Sequence, residues 1–260
     1  MLKGKTALVT GSTSGIGLGI ARTMAKEGAN IVINGLGNAD EIEEIRKGLE
    51  NDYGIQALYD PADMTRPDQI RGMCEKAVGA FGSIDILVNN AGIQFVSPID
   101  EFPEDKWDAI IAINMSASFH TAKACVSGMK KKGWGRIINI ASVHGLVASP
   151  FKTAYVTAKH GMIGLTRTIA LEVAGDGITC NAICPSYVNT PLMRNQIKDQ
   201  AKVHNLSEAE VVEEIMLAPQ AVKKFTEIEQ LGALAVFLCS DAASTITGAS
   251  LPVDGGWTAR

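Results

Sequence analysis

The chain has 260 residues, of which 46% are hydrophobic and 20% are charged, and its mean hydropathy is +0.11. That composition is sufficient for a hydrophobic core and excludes a disordered chain. The sequence shows no signal-peptide core and no uncharged apolar run of ~20 residues, so we expect a cytoplasmic protein that binds no membrane. The formal net charge is -4 with no basic block to neutralise a row of phosphates, so nucleic acid is not an expected partner.

Short β-branched runs alternate with helix-length amphipathic stretches along the chain. Strands are predicted over residues 6–10, 30–34, 55–59, 84–89, 136–141, 178–184 and 250–253. Most of these runs are too apolar to have a solvated face, which is typical of a parallel sheet with helices on both faces. Helices are predicted near residues 15–28, 39–52, 67–81, 104–131, 152–174, 191–217 and 227–239. The alternation predicts one α/β domain over residues 1–260, a doubly wound Rossmann-type parallel sheet of about seven strands.

One polar, charged stretch at residues 186–225 departs from this alternation. It is long for a connection and follows the sixth predicted strand. Ligands of open α/β sheets bind beyond the carboxyl ends of the strands. We therefore predict that residues 186–225 form a lid over the ligand crevice.

A glycine-rich segment, TGSTSGIG at residues 10–17, follows the first predicted strand and opens the first predicted helix. Glycines permit a tight turn there, and the helix N-terminus offers unpaired N–H groups to a pyrophosphate. The spacing is G-x-x-x-G-x-G rather than G-x-G-x-x-G. The segment favours a dinucleotide site, and the alternative is an ordinary tight turn between a strand and a helix.

The choice between NAD and NADP depends on the end of the second strand. An acidic side chain there suits a free ribose and a basic one suits a 2'-phosphate. Residues 34–38 carry neither charge, and the absence of a basic residue favours NAD. Asp63, after the third strand, lies where a carboxylate can bond the adenine amino group, or it serves as a capping or turn residue.

Tyr155 and Lys159 lie four residues apart, on one face of a predicted helix. Two such groups ~5 Å apart at an effective dielectric constant of ~20 interact by about 3 kcal/mol, which would lower the phenol pKa by roughly two units. The alternative is a buried tyrosine beside a lysine that extends to solvent. Ser142 follows a strand at the ligand edge, and Asn114 lies in mid-helix, where asparagine is a poor helix former. A hydrogen bond between helices is the alternative role for Asn114.

Cysteines and histidines are scattered along the chain. The five cysteines include no C-x-x-C pair, and the four histidines are dispersed. We therefore expect free, buried thiols and no metal centre.

Several motifs of the chain form one recognisable set, namely TGSTSGIG, Asn89-Asn90-Ala91-Gly92, Asn114, Ser142, Tyr155-x-x-x-Lys159 and Pro185 to Thr190. With this set, essentially the whole chain resembles the short-chain dehydrogenase/reductase family. The resemblance implies a catalytic tetrad. In it, Tyr155 exchanges the hydroxyl proton and Ser142 holds the substrate oxygen. Lys159 contacts the ribose and lowers the pKa of the tyrosine, and Asn114 holds a water that relays protons. The predicted contacts to NAD are Gly11, Thr13, Ser14, Gly15, Ile16, Gly17, Leu36, Asp63, Asn90, Ala91, Gly92, Tyr155, Lys159, Pro185, Val188 and Thr190.

Within that family, the segments IINIASVHGLVAS, NNAGIQ and VDGGW are similar to bacterial members that interconvert (R)-3-hydroxybutyrate and acetoacetate with NAD. This resemblance implies a substrate site around Ser142 and Tyr155. The further substrate contacts it implies are a carboxylate clamp of Gln94, His144, Lys152 and Gln196, with Tyr187 and Trp257 near the methyl end. The sequence departs from the pattern at Phe95, where His is common, and at Ser186-Tyr187, where Gly-Trp is usual, which alters the predicted methyl pocket.

The resemblance also implies a homotetramer. Two other functions stay open at this point. One is a different short-chain reductase, acting on an acyl-carrier-protein substrate or a sugar. The other is a non-catalytic NAD-binding sensor, which would be expected to have lost Tyr155 or Lys159.

Overall fold

Seven parallel strands form one sheet, as the β-branched runs predict. In the computed structural model they are β1 (Thr6–Val9), β2 (Asn30–Asn34), β3 (Ala57–Asp60), β4 (Ile86–Asn89), β5 (Gly135–Ile140), β6 (Ile178–Pro185) and β7 (Ser250–Val253). The order across the sheet is β3-β2-β1-β4-β5-β6-β7, and every pairing is parallel. The winding reverses between β1 and β4, so the doubly wound architecture is confirmed and a ligand crevice is expected beyond these two strands. The structure describes residues 1–190, 193–194, 197–198, 201 and 205–259.

Helices cover both faces of the sheet. They are α1 (Gly15–Lys26), α2 (Ala39–Tyr53), α3 (Pro67–Phe81), α4 (Glu104–Ile111), α5 (Ala117–Lys132), α6 (Thr153–Val173) and α7 (Ile228–Leu238). One buried apolar cluster joins α1, α2 and α7 to the sheet, and a second joins α3 and α5 to the other face. Because both faces are covered, β1, β4, β5 and β6 are buried along their whole length.

The predicted helix over 104–131 is not a single α-helix. A π-helical turn, Ala112–Ser116, separates α4 from α5 and contains Asn114. Such turns are rare and are found at functional sites. Of the predicted helix at 191–217, the described part includes a short helical turn, Glu208–Glu210, that continues as π-helical Val211–Met216.

The two ends of the 186–225 stretch lie together beside β6. The backbone N–H of Thr226 donates to the Tyr187 carbonyl at 3.0 Å, and that of Asn189 donates to the Thr226 carbonyl at 2.9 Å. Between these ends, Met193 and Val211 belong to a separate small apolar cluster. The stretch therefore leaves and rejoins the fold at one place, at the carboxyl edge of the sheet.

All five cysteines are free and buried, as predicted. None of the helices in the described ranges is long and apolar enough to cross a bilayer.

Candidate active site

The glycine-rich turn between β1 and α1 is closely packed against the segment after β4. Gly11 has φ +60°, and a Cβ atom there would lie 2.8 Å from the Ala91 Cα. Gly17 is buried in the first turns of α1, where a Cβ would overlap the Gly11 carbonyl oxygen and the Asn90 amide. Side chains at these two positions would force the turn away from β4, so both glycines are needed for the close approach.

Two asparagine side chains hold the backbone of this turn. Asn34, at the end of β2, accepts from the Gly11 N–H at 3.2 Å and donates to the carbonyls of Asp60 and Ala62 at 3.1 and 3.0 Å. Asn90 donates through Nδ2 to the carbonyls of Thr10 and Gly11 at 2.9 and 3.0 Å. The ends of β1, β2 and β4 are thus tied together around the turn.

The N-terminus of α1 is open to an anion. Ser14 is the N-cap residue but its side chain makes no capping hydrogen bond, and the first turn contains no acidic residue. Gly15 has φ +54°, and a Cβ there would meet only the Thr190 Cγ2 at 3.9 Å, in otherwise open space. Free N–H groups and the positive end of the helix dipole face this space, so the residues fit the pyrophosphate of a dinucleotide.

A cleft of about 610 Å³ opens beside this helix end, along the carboxyl edge of the sheet. It brings together nearly all of the predicted site residues. Those lining it are Gly11, Thr13, Ser14, Gly15, Ile16, Leu36, Asp63, Asn90, Ala91, Gly92, Gln94, Ser142, His144, Lys152, Tyr155, Lys159, Pro185, Tyr187, Val188, Thr190 and Trp257. Gly17 and Asn114 lie behind the wall instead, and Gln196 is outside the described residues.

The sequence prediction missed a second set of lining residues, most of them apolar or small. They are Asn34, Gly35, Ala62, Met64, Ile93, Ile113, Ile140, Ala141, Val143, Ser186 and Met193. The one sequence feature that could have identified them is their position, because most of them lie at or just after the carboxyl end of a strand.

Asn114 holds the loop after β4. Its Oδ1 accepts from the Ile93 N–H at 2.8 Å, and its Nδ2 donates to the Ile93 carbonyl at 2.9 Å. The side chain is fully buried. The partner is therefore a loop backbone and not a second helix, so the alternative role of Asn114, a hydrogen bond between helices, is wrong.

Tyr155 and Lys159 both project from α6 into the cleft, but their electrostatics differ from the sequence expectation. Burial raises the pKa of Tyr155, and hydrogen bonding to the Ser142 side chain opposes that rise. The Lys159 Nζ donates to the Ile140 carbonyl at 2.8 Å and lies 5.6 Å from the centroid of the Tyr155 ring. Burial lowers the pKa of Lys159 to about 8. The predicted net lowering of the phenol pKa is thus wrong, because the ammonium bonds the Ile140 carbonyl and burial raises the pKa of the phenol.

Ser142 and His144 form one short turn after β5. Ser142 caps the 3-10 turn Val143–Gly145 and its Oγ accepts from the His144 N–H at 3.1 Å. Burial, and then the charge of Lys152, lower the pKa of His144 to about 4. The ring is therefore neutral at pH 7, and its buried Nε2 has no hydrogen-bond partner within the described residues. A buried nitrogen without a partner is costly, so this atom is available to a ligand.

Lys152 and two aromatic rings form the end of the cleft beyond Tyr155. The Lys152 Nζ lies 6.0 Å from the centroid of the Tyr187 ring, and burial lowers the pKa of the ammonium. Tyr187 stacks on Trp257 with centroids 6.0 Å apart, and Trp257 meets His144 edge to face at 5.6 Å. Lys152 has no carboxylate partner in the part of the chain that the structure describes. This end of the cleft suits a small anion with an apolar tail.

Asp63 is confirmed as a turn residue. Its Oδ1 accepts from the backbone N–H and the hydroxyl of Thr65, both at 2.8 Å, and these bonds lower its pKa. Asp63 also lines the cleft, next to Met64.

Comparison with known proteins agrees with this geometry. Residues 5–201 match the family model described as short chain dehydrogenase. The chain is 57% identical over 256 residues to a D-beta-hydroxybutyrate dehydrogenase of Rhizobium meliloti (strain 1021), covering 98% of this chain and 99% of the relative. It is 52% identical over 261 residues to the D-beta-hydroxybutyrate dehydrogenase of Cupriavidus necator, covering 100% of both. A solved protein of Sinorhizobium meliloti 1021, described as a short-chain alcohol dehydrogenase, superposes with a TM-score of 0.88 at 33% identity, covering 99% of this chain and 98% of that one.

The parallel sheet, the open helix N-terminus and the cleft define an oxidoreductase of the dinucleotide-binding type. The chain belongs to the short-chain dehydrogenase family. The resemblance stated from the sequence is confirmed.

Proposed function

We propose that this chain interconverts (R)-3-hydroxybutyrate and acetoacetate, with NAD as the redox cofactor. The observation that carries the proposal is the position of Lys152, a half-buried cation without a carboxylate partner in the described residues, in the same cleft as Tyr155. The names of two relatives at 57% and 52% identity support the same substrate. A short hydroxy acid offers few atoms for apolar recognition, so a cation is needed to orient it.

The roles of the side chains follow from their positions. Lys152 pairs with the substrate carboxylate, and the neutral His144 and Gln94 supply hydrogen bonds to it. Ser142 donates to the reacting oxygen. Tyr155 accepts the proton of the C3 hydroxyl during oxidation and returns one during reduction. NAD, held by the glycine-rich turn and by Lys159, would supply the acceptor for the hydride that leaves C3.

The remaining predicted residues bind the cofactor or support the loop that forms the wall of the cleft. Lys159, buried beside Tyr155, binds the ribose, and the charge of the bound cofactor favours the ionised phenol. Leu36 is 70% exposed at the end of β2, and no cation in residues 34–38 would meet a 2'-phosphate. This is the basis for NAD rather than NADP. Asn114 acts through Ile93, whose backbone it pins, and any water that it holds binds beside that contact.

The assembly and location follow the family resemblance. We propose one catalytic domain, a homotetrameric assembly, a cytoplasmic location and a lid at residues 186–225. The lid proposal draws on the junction of Tyr187 and Asn189 with Thr226, which is a suitable hinge. Backbone hydrogen exchange of this stretch should slow when cofactor and substrate are added together. Equally slow exchange without ligands would contradict a mobile lid.

A screen of purified protein tests the function. NAD reduction is followed at pH 8 with (R)- and (S)-3-hydroxybutyrate, the methyl ester of the (R) acid, and simple sugars, and NADPH oxidation with a 3-oxoacyl thioester. We expect turnover with NAD and the (R) acid alone. Equal turnover of the ester or thioester would favour a reductase of neutral substrates, and no turnover with NAD binding retained would favour a sensor.

A further inference from the structure

A buried glutamine supports the aromatic end of the cleft from behind. Gln220 is 1% exposed and does not line the cleft. Its Oε1 accepts a hydrogen bond from the Ser186 hydroxyl at 3.2 Å. Ser186 directly precedes Tyr187, the ring that stacks on Trp257. Gln220 is therefore linked to one half of the aromatic pair without contact with a substrate.

The same oxygen of Gln220 also lies beside the turn that carries Trp257. Gly255 has φ +61°, and a Cβ there would lie 2.7 Å from the Gln220 Oε1 and 3.0 Å from the Val222 carbonyl oxygen. The Val222 N–H donates to the Gly255 carbonyl at 2.8 Å. The segment around Gln220 thus packs directly on the turn, and glycine at 255 is required for that approach.

The turn itself is held by a buried carboxylate. Asp254 accepts from the N–H groups of Gly256 and Thr258 at 3.0 and 2.8 Å and from the Thr258 hydroxyl at 2.7 Å. Trp257 is therefore fixed relative to its own turn. The Ser186 N–H donates to the Val253 carbonyl at 3.2 Å, so the backbone before the turn is already joined to Ser186. The Gln220 side chain lies beyond this bond, between the Ser186 hydroxyl and Gly255, where it limits how closely Tyr187 and Trp257 approach each other.

We propose that Gln220, acting through Ser186, is a positioning residue that sets the spacing of Tyr187 and Trp257 and thereby the length of 3-hydroxy acid that the cleft accepts. This inference rests on the proposed function. The Gln220 Oε1 bonds the Ser186 hydroxyl and lies beside Gly255, so replacing the amide removes the bond and lets the Ser186 and Gly255 segments shift relative to each other. An apolar pocket discriminates one methylene group by ~10- to 200-fold, so a small change in ring spacing alters the preference between homologous acids.

The test compares two acids that differ by one methylene group. The kcat/KM for (R)-3-hydroxybutyrate and for (R)-3-hydroxypentanoate is measured in Gln220→Met, in Ser186→Ala, in the double variant and in Gln56→Met. Gln56 is exposed, so its replacement is the matched control. We expect the ratio to shift towards the longer acid by at least ~3-fold in each single variant. The double variant should shift no further than the larger single one, because the two residues form one link.

A purely structural role would not move this ratio. Loss of folded protein lowers turnover of both acids equally, and the KM for NAD should stay within about two-fold of wild type in Gln220→Met because Gln220 does not line the cleft. A ratio unchanged from wild type in both single variants overturns the proposal.

A second measurement needs no substrate. Hydrogen exchange of peptides spanning 186–190 and 254–259 should be faster in Gln220→Met than in wild type or Gln56→Met. A wild-type protein that oxidises neither acid refutes the proposed function, and unchanged exchange in Gln220→Met refutes the positioning role by itself.

Discussion

Replacing Lys152 by methionine removes the charge at the acid-binding end of the cleft and keeps a side chain of similar length. Lys152 precedes α6, but its side chain makes no capping hydrogen bond. The substitution therefore should not destabilise the helix. Its effect should be confined to substrates that carry a negative charge.

The magnitude follows from the geometry. A cation about 4 Å from a carboxylate contributes about 4 kcal/mol at an effective dielectric constant of 20. Lys152 is only half-buried, so solvent screens part of this attraction. We expect a loss of about 2 to 3 kcal/mol, which is a fall of about 30- to 150-fold in kcat/KM for (R)-3-hydroxybutyrate.

Steady-state kinetics with the acid and its methyl ester measure this effect. The ester should be a poor substrate of the wild type and should change little in Lys152→Met, because it lacks the anion. Lys152→Arg should recover part of the activity with the acid, and Lys47→Met, at an exposed position on α2, is the control. Unimpaired oxidation of the acid by Lys152→Met would refute the clamp, and the substrate would then have to be neutral.

Three further predictions address the other parts of the site. Tyr155→Phe removes only the phenolic hydroxyl, so turnover should fall by at least ~100-fold while NAD affinity, measured by titration, persists; substantial residual turnover would exclude the proton-transfer role. Leu36→Arg places a cation at the exposed end of β2 and should move the ratio of kcat/KM towards NADP, and an unchanged ratio would mean that the ribose lies elsewhere. Lys159 has a pKa of about 8 in the folded protein against an ordinary lysine value of 10.5, so the folded state binds fewer protons between these limits and gains stability as pH rises through them. Relative to Lys159→Met, the unfolding free energy of the wild type should rise by about 3 kcal/mol from pH 7 to pH 10 in urea titrations, and a flat difference would contradict the buried ammonium.

Strand positions were predictable because the sheet is buried on both faces. β2 and β7 coincide with the predicted runs, and β1 and β4 differ from them by one and two residues at one end. The π-helical turn around Asn114 was not predictable in this way. Asn114 is a poor helix former, but that property does not indicate a π-helical turn, and the break lies where the Asn114 side chain bonds the Ile93 backbone, 21 positions away in sequence.

Electrostatics at the site were the least predictable property. Sequence spacing places Lys159 beside Tyr155, but it gives no measure of desolvation or of competing acceptors. In the fold the ammonium bonds the Ile140 carbonyl, and burial acts on both groups in the direction that disfavours charge. A pKa argument from i and i+4 spacing alone therefore omits the burial that makes the net direction for Tyr155 upward. Under the proposed function, the charge of a bound cofactor would supply the stabilisation of the phenolate that Lys159 alone does not.

Asparagine amides join the segments that form the cleft. Asn34, Asn90 and Asn114 each bond backbone groups of a different segment at the carboxyl edge of the sheet. An amide presents a donor and an acceptor together, which matches the paired N–H and carbonyl of a loop backbone. An aspartate at position 114 would lose the bond to the Ile93 carbonyl and place a carboxylate against that oxygen, at the cost of an unpaired buried group. Because these bonds already fix the loops around the helix α1 end, a dinucleotide would meet a backbone that is already held in place.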